Sequence, residues 1–142
     1  MSATVPSMST QPLSSASALL DSMPFARVCG IELVETDPER VTGLLAWTPE
    51  RCTGAGIMHG AAIMALADSM GGACAFLNLP EGARTSTIES KTNFFRSVRG
   101  GAAHASSRPL HVGRSTIVVQ TDVTDDEGRR VAQVTQTQAV LH

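Results

Sequence analysis

The stretch HGAAIMALADSMGGACAFLN, residues 59–78, decides the fold of this chain of 142 residues. Alanine, methionine and leucine are strong helix formers, and Asn78 followed by Pro80 supplies a stop, so the stretch predicts one long helix. Because its side chains are apolar nearly all the way round, this helix belongs in the middle of a fold rather than on its surface. A lone carboxylate, Asp68, interrupts the apolar run and calls for a chemical reason.

The segments on both sides of this helix have the composition of β-strands. They are rich in Val, Ile and Thr, and turn-forming residues separate them. The predicted strands are residues 31–35, 40–48, 85–95, 102–112, 115–124 and 130–141. The links RSVRGG, GR and DDEG between the later strands are expected to be antiparallel connections. The sequence therefore predicts an α+β domain, in which a single antiparallel sheet wraps around one long central helix.

The domain organisation follows from composition. Residues 1–17 are rich in Ser, Thr and Pro and predict a disordered tail, whereas residues 18–142 are expected to form a single domain. The tail lacks the basic and apolar regions of a secretory signal. No uninterrupted apolar run reaches the roughly 18 residues of a membrane span. We therefore expect a cytoplasmic protein that has no membrane partner.

Charge and cysteine content exclude other classes. The net charge is −2, the pI is near 6.0, and the eleven Lys and Arg are scattered, so no nucleic-acid footprint is present. The three cysteines, Cys29, Cys52 and Cys74, are widely spaced and predict reduced thiols in the core. Neither they nor the histidines have metal-ligand spacing, so no metal site is expected.

Several segments carry a family resemblance. GIMHGAAIMALADSMGGA, then TIESKTNFFRSVRGG, then GRSTIVVQTDVTDDEGRRVAQVTQT together resemble the hotdog-fold acyl-CoA thioesterases of the phenylacetic-acid-pathway (PaaI-like) type. The resemblance covers about residues 24–141, and Ala61 stands where the family usually has the second glycine of His-Gly-Gly. It implies a hotdog fold and hydrolysis of an acyl- or aryl-CoA to the free acid and coenzyme A, without a metal or redox cofactor. It also implies active sites at the interface of a homodimer, often within a homotetramer.

Two residues of the predicted helix suit this chemistry. The N–H of Gly60, at the helix amino terminus, could hold a thioester carbonyl oxygen as it gains negative charge. Asp68 lies among small and apolar residues, so loss of hydration should raise its pKa, as in a tuned active-site carboxylate. It could attack the thioester carbon or activate a water, and the sequence does not choose. The structural alternative is a carboxylate satisfied by backbone N–H groups or a salt bridge.

The spacing of these two residues predicts a shared site. Gly60 and Asp68 are eight residues apart, which is about 12 Å along one helix axis, too far for both to reach one carbonyl. Two helices packed antiparallel about a two-fold axis would bring Gly60 of one chain to Asp68 of the other. The glycines at 71 and 72 fit such close packing, although packing against the chain's own sheet explains them equally well.

Other candidate site residues are His59, Thr87 and four residues that could bind phosphate groups. His59 could transfer a proton, but an equally good interpretation is that it fixes the loop that aims Gly60. The resemblance implies that Thr87 orients water or the carboxylate, although threonine is also an ordinary strand former. Coenzyme A phosphates favour Arg near loop ends, against the alternative of solvated surface arginines. The candidates for phosphate binding are Arg96, Arg99, Arg114 and Ser115.

Two competing functions are kept open. A hotdog dehydratase or hydratase would use a histidine as base on the acyl chain, whereas the ionisable group embedded here is Asp68. A non-catalytic hotdog protein that binds acyl-CoA could serve as a regulator. Such a regulator needs an output module, and the segment before residue 24 is too short to hold a helix-turn-helix.

Overall fold

The computed structural model describes residues 15–142. Most of the predicted tail, residues 1–14, lies outside the described residues, and the first helix begins at Ala16 with Ser15 as its cap. The helices are α1 (Ala16–Asp21), α2 (Pro24–Cys29) and α3 (Gly60–Leu77), with a single 3-10 turn at Pro49–Arg51. The strands are β1 (Glu32–Asp37), β2 (Arg40–Ala46), β3 (Arg84–Phe94), β4 (Ala102–Val112), β5 (Thr116–Thr124) and β6 (Arg130–Leu141).

The six strands form one antiparallel sheet in the order β1-β2-β4-β5-β6-β3. This confirms the predicted α+β architecture of one sheet around one long helix. The prediction that the link RSVRGG connects two neighbouring antiparallel strands is wrong, because it joins β3 to β4, which are not neighbours in the sheet. Its composition favours a chain reversal, but Val98 within it is buried and its carbonyl accepts the N–H of Met58 at 2.8 Å. The link therefore passes beside the segment that leads into α3.

Helix α3 forms the centre of the core. Its buried residues, among them Leu66, Met70 and Cys74, join one hydrophobic cluster with the inward side chains of the sheet. The alternation predicted for β5 is confirmed, because every second residue from Ile117 to Val123 is buried. With 18 residues and a mean hydropathy of 1.5, α3 is long and apolar enough to cross a membrane, and a buried core helix has the same length and composition. Of the three cysteines, Cys74 is buried as predicted, whereas the other two are only half-buried.

Two surfaces of this fold remain uncovered. Strand β3 lies at the edge of the sheet, pairs only with β6, and has mostly exposed side chains, including Ile88 at 63% exposure. Along α3, one stripe is solvent-accessible, whereas the opposite side of the helix is buried. The stripe consists of Ala61, Met64, Asp68 and the half-exposed Gly72. The open face of this apolar helix and the unpaired sheet edge are two surfaces on which another chain could pack.

Candidate active site

The amino terminus of α3 is held in place from two sides. His59 is the N-cap residue, and its Nδ1 accepts the N–H of Ala61 at 3.0 Å. The His59 N–H donates to the carbonyl of Arg51 at 2.8 Å, next to the Met58 to Val98 hydrogen bond. Because Nδ1 is an acceptor here, a neutral His59 ring carries its proton on Nε2. His59 thus caps the helix and fixes the chain that leads to Gly60.

The Gly60 amide differs from the other N–H groups of the first helical turn. The N–H of Ala61 donates to the His59 ring, and those of Ala62 and Ile63 donate to the His59 carbonyl at 2.9 and 3.3 Å. Within residues 15–142, the Gly60 N–H has no acceptor. It is therefore a donor at a helix amino terminus, available to an oxygen of a ligand.

Glycine at position 60 also permits a close approach. A Cβ placed there would lie 3.1 Å from Cζ of Phe94, so the aromatic ring of β3 packs directly over the backbone. Gly60 lines a hollow of about 360 Å³, which we call the glycine hollow. Its lining includes Gly60, Ile63, Phe94, Phe95 and Arg96. Arg96 is exposed and makes no ion pair within the described part of the chain.

Asp68 opens into a different space, a cavity of about 400 Å³ that we call the aspartate cavity. It is formed between α3, the helix α1 with the link that follows it, the start of β3 and β6. Its lining includes Asp68, Thr87, Gln138, Arg84 and the apolar side chains of Leu19, Met23 and Phe76. The lining is therefore mainly apolar around one carboxylate, with Arg84 as its only other charged member among the described residues.

The Asp68 carboxylate has no internal partner. It makes no ion pair or side-chain hydrogen bond to any residue that the structure describes. Although Asp68 is accessible to solvent at the cavity wall, the surrounding apolar groups remove part of its hydration and raise its pKa, as predicted. The structure thus presents an unpaired carboxylate of raised pKa rather than one neutralised by an internal ion pair.

Thr87 shares this cavity with Asp68 and is held by a residue that the sequence analysis missed. Gln138 of β6 is buried, its Nε2 donates to Oγ1 of Thr87 at 2.8 Å, and its Oε1 accepts from Oγ1 of Thr85 at 3.1 Å. A signal was present in the sequence, because glutamines 136 and 138 occupy core-facing positions of an alternating strand. Polar side chains at such positions need partners and often serve a purpose.

The four candidates for phosphate binding do not lie together. Arg96 lines the glycine hollow, whereas Arg99 lines a separate one among three acidic side chains of the β5–β6 turn. Arg114 and Ser115 form the β4–β5 turn, where the Ser115 carbonyl accepts the N–H of Val140. That turn lies at the end of the sheet where β3 begins, opposite the end that carries Arg96.

The candidate site residues of one chain fall into two groups, which we call half-sites. Gly60 and Arg96 belong to the glycine hollow, and Asp68 and Thr87 belong to the aspartate cavity. Both half-sites lie between α3 and the edge strand β3, and they are separated by the length of helix predicted from the spacing. Within the described residues, no group of three or more His, Cys, Asp or Glu could hold a metal ion.

Comparisons with known proteins agree on one family. Residues 55–132 match the family model described as the Thioesterase superfamily. ComA2 of Bacillus subtilis, named as an esterase, is 32% identical over 114 residues, which are 79% of this chain and 90% of ComA2. The 1,4-dihydroxy-2-naphthoyl-CoA hydrolase of Escherichia coli is 31% identical over 86 residues, 61% of this chain and 63% of that enzyme.

The solved structures give the same answer. A thioesterase from Haemophilus influenzae superposes with a TM-score of 0.85 at 25% identity, over 90% of this chain and 91% of that one. This confirms the predicted fold, in which the sheet wraps around α3 as in the hotdog thioesterases. The chain belongs to the thioesterase superfamily and is a hotdog-fold thioester hydrolase.

Proposed function

We propose that this protein hydrolyses acyl-CoA or aryl-CoA thioesters at sites shared between the two subunits of a homodimer. In each site, Asp68 of one subunit is the nucleophile or general base, and the amide of Gly60 of the partner subunit is the oxyanion donor. One observation carries the proposal: among the described residues, the Gly60 N–H and the Asp68 carboxylate have no partner, and the two residues line separate spaces between α3 and β3.

The open surfaces support the dimer. If two β3 edges pair antiparallel about a two-fold axis, the end of β3 that carries Phe94 meets the end that carries Arg84 in the partner. The glycine hollow of one subunit then approaches the aspartate cavity of the other. The exposed stripe on α3, including Met64, loses contact with water in the same step. A homotetramer of two such dimers remains the expectation from the family.

The chemistry follows from the two half-sites. The thioester carbonyl oxygen accepts the Gly60 N–H, and the helix amino terminus stabilises the negative charge that develops there. As a base, Asp68 takes a proton from water, whose oxygen attacks the carbonyl carbon. As a nucleophile, it forms a mixed anhydride that water then opens. On either route the C–S bond breaks, the acyl carbon gains a hydroxyl group, and coenzyme A leaves as the thiol.

His59 and Thr87 have supporting roles in this proposal. His59 holds the first turn of α3 in the geometry that presents Gly60, through its bond to the Ala61 amide. Thr87 lies in the same cavity as Asp68 and orients the carboxylate or the water. No metal or redox cofactor takes part.

The two hollows suit the two parts of the substrate. Arg96 is an unpaired cation beside Gly60 and is the first candidate for a phosphate of coenzyme A. Arg99 lies among carboxylates that would repel a phosphate, and Arg114 and Ser115 are candidates from the opposite end of the sheet. The apolar lining of the aspartate cavity favours an apolar acyl group. The name of the Escherichia coli relative, a naphthoyl-CoA hydrolase, supports aryl-CoA substrates.

Release of free thiol from a panel of CoA esters tests the proposal. The panel contains phenylacetyl-, benzoyl-, medium-chain and long-chain acyl-CoA, assayed with wild type, Asp68→Asn and Asp68→Ala. Asp126→Asn is the matched control, because Asp126 is an exposed carboxylate on the β5–β6 turn. We expect wild type and the control to release thiol, and both Asp68 variants to lose at least about 100-fold in kcat/KM, a typical general-base contribution. Full activity of Asp68→Asn would overturn the proposal, and binding without hydrolysis by wild type would favour a non-catalytic acyl-CoA-binding protein.

A further inference from the structure

Gln138 is the most constrained polar side chain near the aspartate cavity. It lies on the inward face of β6 at 2% exposure, and its carboxamide is held at both ends by hydroxyl groups of β3. Nε2 donates to Thr87 at 2.8 Å, and Oε1 lies 3.1 Å from the Thr85 hydroxyl, which also lies 3.0 Å from the carbonyl of Ala139 and shares its proton between the two acceptors. A buried amide with a partner at each end has little freedom to turn.

This arrangement fixes the polarity of the Thr87 hydroxyl. A hydroxyl group has one proton and two lone pairs, and Gln138 occupies a lone pair of Thr87 Oγ1 at 2.8 Å. Among the residues described, the proton of Thr87 has no acceptor. Thr87 lines the aspartate cavity together with Asp68, so its O–H is free to donate into the space where the carboxylate lies.

We propose that Gln138 is a positioning residue that makes Thr87 a hydrogen-bond donor to the Asp68 carboxylate. The inference rests on the proposed function, and it adds a residue that acts through Thr87 without touching substrate. Donation to a carboxylate stabilises its ionised form and orients it toward the carbonyl carbon. Without Gln138, the Thr87 proton can turn back toward β6.

The charged surroundings of Asp68 make this effect measurable. The cavity is lined by α1, the link between α1 and α2, α3, β3 with the residue before it, and β6, and among the described residues Arg84 is the one other charged group that they present there. Burial acts against the ionised carboxylate, whereas a hydrogen bond donated by the Thr87 O–H in the working site would act for it. Loss of that donor therefore moves the acid limb of the kcat/KM profile to higher pH.

The test compares pH profiles of wild type, Thr87→Val, Gln138→Met and the double variant. We expect both single variants to move the acid limb upward by about one pH unit, a tenfold loss of kcat/KM at a pH on that limb. The double variant should match Thr87→Val, because Gln138 acts only through that hydroxyl. Thr87→Ser keeps the hydroxyl and should retain the wild-type profile.

Ser107→Ala is the control for a merely structural effect. Ser107 and Thr121 form a buried hydrogen bond between their hydroxyl groups at 2.6 Å elsewhere in the sheet. Loss of the Ser107 hydroxyl should therefore lower the stability of the protein and leave the acid limb of the kcat/KM profile in place. If Gln138→Met does not fold, Gln138→Leu replaces it, since an aliphatic side chain also cannot donate to the Thr87 hydroxyl.

The outcomes separate the two proposals. An equal loss at every pH, an unmoved limb, or a double variant that shifts further than Thr87→Val overturns the role of Gln138. If Asp68→Asn is inactive in the same assays, the proposed function survives that result. If Asp68→Asn is fully active, the proposed function fails, whatever the Gln138 profile.

Discussion

Gly71 and Gly72 are adjacent in α3, and the structure predicts opposite responses when each is replaced by alanine. A Cβ at Gly71 would lie 2.2 Å from Oε1 and 2.6 Å from Cδ of Gln136, a side chain that is fully buried. Reaching an ordinary contact of 3.4 Å requires the buried carboxamide of Gln136 or the helix backbone to shift by more than 1 Å. Overpacking of this kind costs about 1–3 kcal/mol.

At Gly72, a Cβ would meet nothing within 4 Å, because this residue lines the aspartate cavity. Alanine gains up to about 1 kcal/mol over glycine in helix propensity at both positions, so that gain cancels when the two variants are compared. We therefore expect Gly71→Ala to be less stable than Gly72→Ala by about 1–3 kcal/mol. Urea unfolding at one fixed protein concentration, followed by fluorescence of Trp47, gives this difference. Equal free energies of unfolding would refute the packing argument.

Three further predictions concern single side chains. Asp68→Asn should stabilise the protein at neutral pH, because the raised pKa of Asp68 shows that the folded state disfavours the charged carboxylate. This gain in stability should vanish at a pH below the ordinary carboxyl pKa of 3.8, where Asp68 is uncharged in both states. A gain that persists at that pH would contradict the raised pKa. His59→Ala should lose about 0.5–2 kcal/mol of stability with the cap on the Ala61 amide, while His59→Asn should recover most of it in the same urea assay. Burial raises the pKa of Cys74 to about 11, so iodoacetamide at pH 8 should label the other two thiols first; intact mass should show two labels in the native protein and three after denaturation.

Much of the fold could be predicted from the sequence because its signals are local. The run of helix formers ended by Asn78 gave α3 within a residue at each end, and the alternation of β5 gave its buried face. Strand neighbours could not be predicted in the same way, because pairing is set by contacts distant in the chain. The turn-like link around Val98 therefore predicts an antiparallel connection between its two strands, whereas it joins β3 to β4, and β5 and β6 lie between these two strands in the sheet.

The site was predictable where one residue type at one position carried the chemistry. Asp68 stood out as the single carboxylate in an apolar helix. Gln138 did not stand out, because its importance depends on hydroxyls that lie fifty residues away in the chain. The sequence predicts one common role in close packing for the adjacent glycines 71 and 72. At about 3.6 residues per helical turn, however, adjacent residues face different directions. One packs on Gln136 and the other faces the cavity.

Subunit complementation tests the shared site most directly. Gly60→Pro removes the amide proton at a helix position that accepts proline, and the extended backbone of His59 is compatible with a following proline. Gly60→Ala is its matched control, since it adds a Cβ near Phe94 but keeps the N–H. Gly60→Pro and Asp68→Ala should each be inactive alone, whereas Gly60→Ala should retain activity.

Mixed and allowed to exchange subunits, the two inactive variants should form heterodimers in which one of the two sites has both an intact Asp68 and an intact Gly60. Random exchange makes half of the dimers mixed, so thiol release should recover to about a quarter of the wild-type rate. No recovery, with heterodimers demonstrated by native mass spectrometry, would contradict a site built from two chains.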